Sequence, residues 1–88
     1  MEIKYSKYFL NKLEDLFSES DYILRYEKGN FKSGYCIINE TRVVVVNKFY
    51  SLEGKVNCLL DIIKSVDLNI ENLSAKNKII YQELREES

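Results

Sequence analysis

Gly29 and Gly34, with four residues between them, have the opening spacing of a phosphate-binding loop. Such a loop needs a preceding strand, a Lys-Ser or Lys-Thr pair after the second glycine, and a following helix whose free N–H groups hold the phosphate. Here Tyr35 and Cys36 follow Gly34, and the next expected element is a strand. The pattern therefore predicts a hairpin loop over 28–34, in which the glycines supply positive φ angles.

Cys36 and Cys58 are further candidates for chemistry in a chain that has no histidine. Two cysteines are too few for a structural zinc site, and a nucleophilic cysteine usually needs a histidine partner. Both are predicted to be small buried hydrophobic residues. We therefore expect no metal, no cofactor, no catalytic residue and no enzymatic activity. The alternative left open is an enzyme that uses Cys36 as a thiolate, which would need a lowered pKa.

Four helical carboxylates show no pairing that would share a proton, and they are predicted to be solvent-facing charges: Glu14, Asp15, Glu53 and Asp61.

The middle of the chain interleaves basic and aromatic residues, whereas the whole chain carries a net charge of −1. A binding surface is predicted there, near Arg25, Tyr26, Lys28, Phe31 and Lys32. The leading hypothesis is a small non-enzymatic interaction or accessory module with an unidentified protein partner. The alternative is a nucleic-acid or anionic-ligand binder that uses the basic aromatic hairpin 25–48, since aromatic rings stack on bases while basic groups hold phosphates.

Three helices are expected to position these residues. The first, over about 6–19, has an apolar face with a 3.6-residue period. The second, over about 51–66, begins with Ser51 as its N-cap and is the predicted core helix, although Gly54 near its start calls for a packing reason. The third, over about 74–86, can be capped by Ser74. The predicted apolar faces are Phe9, Leu13, Leu16 and Phe17 in the first helix, Leu52, Val56, Leu59, Leu60 and Ile63 in the second, and Ile79, Ile80 and Leu84 in the third.

Three strands are expected between the first two helices, over 22–27, 34–38 and 42–47, with a short turn at 39–41. Val43 to Val46 show no alternation, so this strand is predicted to be buried on both faces. Because short loops join the strands, the prediction is an antiparallel sheet. The expected fold is a single α+β domain over 1–88, with three strands, three helices and the order α-β-β-β-α-α.

The 88 residues suffice for one small domain. The first 17 residues mix charged and apolar side chains, and no apolar run approaches a membrane span. We therefore expect a cytoplasmic protein with reduced thiols and no membrane association. The bias toward Lys, Asn and Ile indicates a bacterial source. The valine-rich strand, seven tyrosines and a small core favour a homodimer.

The stretch SGYCIINETRVVVVNKFYSLEGKVNCLLDIIK, residues 33–64, is similar in rhythm to metallopeptidase domains of the ImmA/IrrE type, in which a hairpin leads into a helix bearing His-Glu-x-x-His. The resemblance covers roughly residues 8–65 and rests on element order. It implies the fold and argues against the activity, because Leu60 and Lys64 would stand in the histidine positions and Asp61 in the glutamate position. The chain also resembles small bacterial proteins with a Gly-x-Cys strand and an Asn-Lys pair after a valine strand.

Overall fold

The protein is described by a computed structural model, which covers residues 3–28, 35–38 and 40–86. The described residues confirm the α+β class and the order α-β-β-β-α-α. The predicted ends of the elements differ from the observed ones by a residue or so. The elements are α1 (Lys7–Glu19), β1 (Ile23–Glu27), β2 (Tyr35–Ile38), β3 (Val43–Asn47), α2 (Leu52–Ser65), a short 3-10 helix (Ile70–Asn72) and α3 (Ala75–Glu86).

Serine side chains cap the start of each α-helix. The Ser6 hydroxyl accepts from the Phe9 N–H in α1 at 3.1 Å, and the Ser51 hydroxyl accepts from the Gly54 N–H in α2 at 3.0 Å. Ser74 caps α3 in the same way. These bonds satisfy N–H groups that have no partner within the helix, and they confirm the predicted caps at Ser51 and Ser74.

Packing against Tyr50 explains why a glycine occupies position 54 near the start of α2. A Cβ atom at this position would lie 2.7 Å from Cδ2 of the Tyr50 ring. Glycine therefore lets Tyr50 pack against the first turn of α2, which offsets its lower helix propensity.

The sheet is mixed, so the prediction of a purely antiparallel sheet is wrong. The strand order is β1-β3-β2. β1 pairs with β3 in parallel, from Ile23 opposite Val43 to Glu27 opposite Asn47, and β2 pairs with β3 in the antiparallel sense. β1 and β2 are therefore not neighbours and do not form the predicted hairpin, whose loop residues 29–34 lie outside the described part of the chain.

The valine-rich strand β3 lies at the centre of the sheet, with β1 on one side and β2 on the other. Val44 and Val46 are fully buried against the helices, and Val45 on the opposite side of the strand is also buried. This confirms the predicted burial of both faces. Only a strand with a neighbour on each side loses this much surface to water, which is the most favourable place for four consecutive β-branched residues.

The helices pack against the face of the sheet that carries Val44 and Val46. α2 is the central helix, since α1 and α3 both contact it and its apolar residues are buried. Two predicted core residues are exposed instead: Leu52 in the first turn of α2 and Ile79 on α3. On α3, Ile80 and Leu84 are buried as predicted, and the buried face continues through Asn77 and Tyr81 instead of Ile79.

Candidate functional site

One face of the sheet carries apolar side chains and is not covered by a helix of the described chain. Successive side chains of a strand point to opposite faces. The side chains opposite to the helices form a surface that we call the outer sheet face. Ile23 on β1 is 58% exposed and Ile38 on β2 is 46% exposed. Val43 of β3 lies between them and is half-buried, and the next residue of β3 on this face, Val45, is buried. The residues of the outer sheet face are Ile23, Arg25 and Glu27 on β1, Cys36 and Ile38 on β2, and Val43, Val45 and Asn47 on β3.

The predicted binding residues do not all lie on this face. Arg25 is exposed on the outer sheet face, and Lys28 is exposed directly after β1. Tyr26 lies on the opposite face and packs against the core. The structure therefore does not bring Arg25 and Tyr26 to one surface. Phe31 and Lys32 lie outside the described residues.

Tyr26 belongs to a small polar cluster between α1, β1 and α2. Its hydroxyl donates a hydrogen bond to Oε2 of Glu14 at 2.5 Å, and Nζ of Lys55 lies 5.4 Å from the centre of its ring. Burial and the adjacent Glu14 carboxylate raise the pKa of the Tyr26 hydroxyl well above its usual range. Tyr26 therefore remains a protonated hydrogen-bond donor throughout the physiological range.

The prediction that the helical carboxylates face solvent is wrong for Glu14. It is half-buried, because the residue borders the apolar stripe of α1 and reaches over the edge of the core toward Tyr26. A signal was present in the sequence. Glu14 precedes the core residue Phe17 by three positions, so the two side chains share one side of the helix. Asp15, Glu53 and Asp61 are exposed, as predicted.

A groove lies beside Tyr26, between the second half of α1 and the strand β1. It has a volume of about 460 Å³. We call it the edge groove. Its lining combines a carboxylate, hydroxyl groups and apolar side chains, and ligand-binding sites commonly combine apolar surface with a few polar groups. The lining residues are Glu14, Phe17, Ser18, Ser20, Tyr22, Ile23, Leu24 and Tyr26.

A second, smaller cavity of about 250 Å³ lies between α1 and α3. Asn77 is 1% exposed there, and its amide group donates to Oδ2 of Asp15 at 3.2 Å. Oδ1 of Asn77 is buried without a hydrogen-bond partner. These contacts hold α3 against α1, so we interpret Asn77 as a residue of the helix interface.

The two cysteines lie in different layers of the fold. Cys58 is buried on α2, and burial, with a contribution from the Asp61 carboxylate, raises the pKa of its thiol. This favours the unreactive thiol form of Cys58. Cys36 is half-buried on the outer sheet face. Within the described residues, no group of three or more Cys, Asp or Glu side chains could hold a metal ion.

No helix of the described part of the chain is long and apolar enough to cross a membrane. Comparisons with protein-family models, with curated proteins and with solved structures gave no match. The resemblance to the ImmA/IrrE type therefore stays a prediction from element order. The function is inferred from the surfaces described above.

Proposed function

We propose that this chain is a small non-enzymatic interaction module that self-associates through the outer sheet face. The observation that carries the proposal is the exposure of Ile23 and Ile38 on a face that no helix of the described chain covers. An antiparallel or mixed sheet can leave one face to water, but that face is then usually polar. Contiguous exposed apolar residues on a small domain are typical of an interface.

A second copy of this chain is the partner that the charges of the face favour. Arg25 and Glu27 are two positions apart on β1, so both side chains lie on the outer sheet face and both are exposed. In a two-fold dimer each surface meets its own copy, and Arg25 of one protomer can then face Glu27 of the other. A face that carries one charge of each sign is complementary to itself. The proposal includes a cytoplasmic location, in which the thiols of Cys36 and Cys58 would stay reduced.

The first prediction compares two isoleucines of equal exposure. Ile23→Asp places a charge on the outer sheet face, whereas Ile79→Asp changes α3, where Ile79 is 57% exposed. We expect a dimer for the wild-type protein at high micromolar concentration. Ile23→Asp should weaken dimerisation by tenfold or more, because a buried unpaired carboxylate opposes association. Ile79→Asp should dimerise like the wild type. The measurement is size-exclusion chromatography with light scattering over a range of concentrations.

Circular dichroism of both variants checks that the fold is retained. A wild-type protein that is monomeric at high micromolar concentration would contradict self-association. Equal weakening by both substitutions would show that the outer sheet face is not the interface.

Nucleic-acid binding by the basic aromatic segment is a second candidate function. The observation that favours it is Phe49, which is 69% exposed beside Lys48, whose Nζ lies 5.2 Å from the ring centre. Fluorescence anisotropy with oligo-dT and oligo-U, measured at several salt concentrations, separates the two functions. Binding that falls steeply with salt supports phosphate contacts, because they release counterions. An absence of binding at low salt would reject this candidate.

A further inference from the structure

We propose that the edge groove binds an extended peptide segment, which adds to β1 as an additional strand and places a lysine or arginine side chain against Glu14. This site differs from the outer sheet face, because the groove lies on the helix-bearing side of the sheet, and Ile23 at the end of β1 borders both. It would give the module a second partner besides its own copy.

The main chain of β1 is the first part of the argument. β1 is an edge strand, with β3 as its only neighbour within the described sheet. The Ile23 N–H donates to the Arg42 carbonyl at 2.8 Å, and the Lys48 N–H donates to the Glu27 carbonyl at 3.1 Å. In a parallel pair, alternate residues of a strand bond to the same neighbour. Ile23, Arg25 and Glu27 therefore direct their main-chain groups toward β3.

Leu24 and Tyr26 consequently direct their N–H and C=O groups away from β3, toward the edge of β1 that no described strand covers. Both residues also line the edge groove. A row of main-chain donors and acceptors at an open edge is a template for an added strand. Strand addition of this kind is a recurrent mode of peptide recognition, in which the main chain supplies affinity and alternate side chains supply specificity.

The side chains of the groove determine which peptide fits. Among the described residues, Glu14 is the one charged side chain of the lining, and Tyr26 donates to Oε2 of its carboxylate. The other oxygen can accept a bond from a lysine or arginine. Leu24, which is half-buried, supplies apolar surface in the same groove. A strand presents alternate residues to one side, so the fitting peptide carries a basic residue two positions from an aliphatic one.

The probe is the synthetic peptide acetyl-TKTVTKT-amide. Its lysine, valine and lysine side chains lie on one side of a strand, and its sequence reads the same in both directions, so either strand orientation can be tested. We expect saturable changes in the amide NMR signals of Leu24 and Tyr26 and slower hydrogen exchange at both amides. The Arg25 and Glu27 amides should change little, since they already bond to β3. The acidic peptide acetyl-TETVTET-amide should bind at least about tenfold more weakly.

A matched pair of variants tests the role of Glu14. Glu14→Gln should weaken binding of the lysine peptide about tenfold, because a hydrogen bond to a charged group is lost. Glu53→Gln removes an exposed carboxylate from α2, outside both the groove lining and the outer sheet face, and should leave binding unchanged. Dimerisation is measured separately by light scattering, so a failure of peptide binding would leave the dimer proposal standing.

Three results would overturn the proposal. The first is unchanged Leu24 and Tyr26 amides at millimolar peptide. The second is equal binding of a lysine peptide whose main chain is N-methylated, since that peptide cannot complete a strand. The third is protection of the two amides without peptide that is lost on dilution, which would assign the open edge of β1 to a second copy of the chain.

Discussion

Tyr81 shows how one side chain satisfies several polar groups in the core. Its hydroxyl accepts from the Leu68 N–H at 3.0 Å and donates to the Val66 carbonyl at 3.1 Å. Arg85 donates to the same hydroxyl and to the Val66 carbonyl, at 2.7 and 2.6 Å. Val66 and Leu68 lie just beyond the C-terminal end of α2, where their main-chain groups would otherwise be buried without partners.

Tyr81→Phe is expected to destabilise the protein by about 1–3 kcal/mol, because it leaves a buried N–H without an acceptor. Tyr8→Phe is the matched control, since Tyr8 is 72% exposed and its hydroxyl lies at the surface. Urea denaturation followed by circular dichroism measures both. Equal stability of the two variants would show that the Tyr81 hydroxyl makes no net contribution.

The residue that precedes β3 adopts an unusual backbone conformation. Arg42, directly before β3, has a φ of 53°, which lies in the left-handed region that favours glycine. Its carbonyl accepts from the Ile23 N–H, and its guanidinium forms an ion pair with Asp21. This residue therefore joins the start of β1 to the start of β3 at some conformational cost.

Arg42→Gly and Arg42→Ala separate the backbone cost from the ion pair. Both lose the pair with Asp21, but only glycine relieves the left-handed conformation. We expect Arg42→Ala to be less stable than Arg42→Gly by about 1 kcal/mol. The Arg42 side chain is 60% exposed and that of Asp21 is 19% exposed. Both variants lose this pair, so its contribution cancels when glycine is compared with alanine. Urea denaturation provides the comparison, and a more stable alanine variant would contradict the assignment of backbone strain.

At the scale of the whole molecule, Glu19 connects two distant parts of the chain. Its carboxylate at the end of α1 accepts from the Ser74 N–H, just before α3, at 2.8 Å. This hydrogen bond, with a second one to the Asn77 side chain, lowers the pKa of Glu19. The contact fixes the start of α3 to the end of α1.

The pH dependence of stability should report this contact. Because the pKa of Glu19 is lower in the folded state, its stabilising contribution is present above the unfolded pKa of about 4.3 and is lost as the pH falls through the folded value. The wild-type protein should thus be more stable than Glu19→Gln at pH 7, and the difference should shrink below about pH 4. Glu40→Gln, at an exposed turn, is the control. A difference that stays constant from pH 7 to pH 3 would rule out the charged form of Glu19 as its source.

The candidate surfaces could be predicted only in part from the sequence. The exposed Arg25 was identified, but Tyr26 was assigned to the same surface although adjacent residues of a strand point to opposite faces. The spacing of Glu14 to Phe17 indicates its partial burial. Its hydrogen bond with Tyr26 cannot be predicted in this way, because Tyr26 is twelve residues away and comes beside Glu14 only when α1 packs on β1. The edge groove could not be predicted from the sequence either, since its existence depends on which strand lies at the edge of the sheet.

Local patterns by themselves determined the three helices, the three strands, the serine caps and the burial of Val44 to Val46. Each of these follows from interactions within a few residues: side-chain period, capping hydroxyls and β-branched side chains. Only the tertiary structure decided that β3 lies between β1 and β2, which makes β1 an edge strand in a mixed sheet. Strand order is set by burial and long-range pairing, and those energies depend on residues that are distant in the chain.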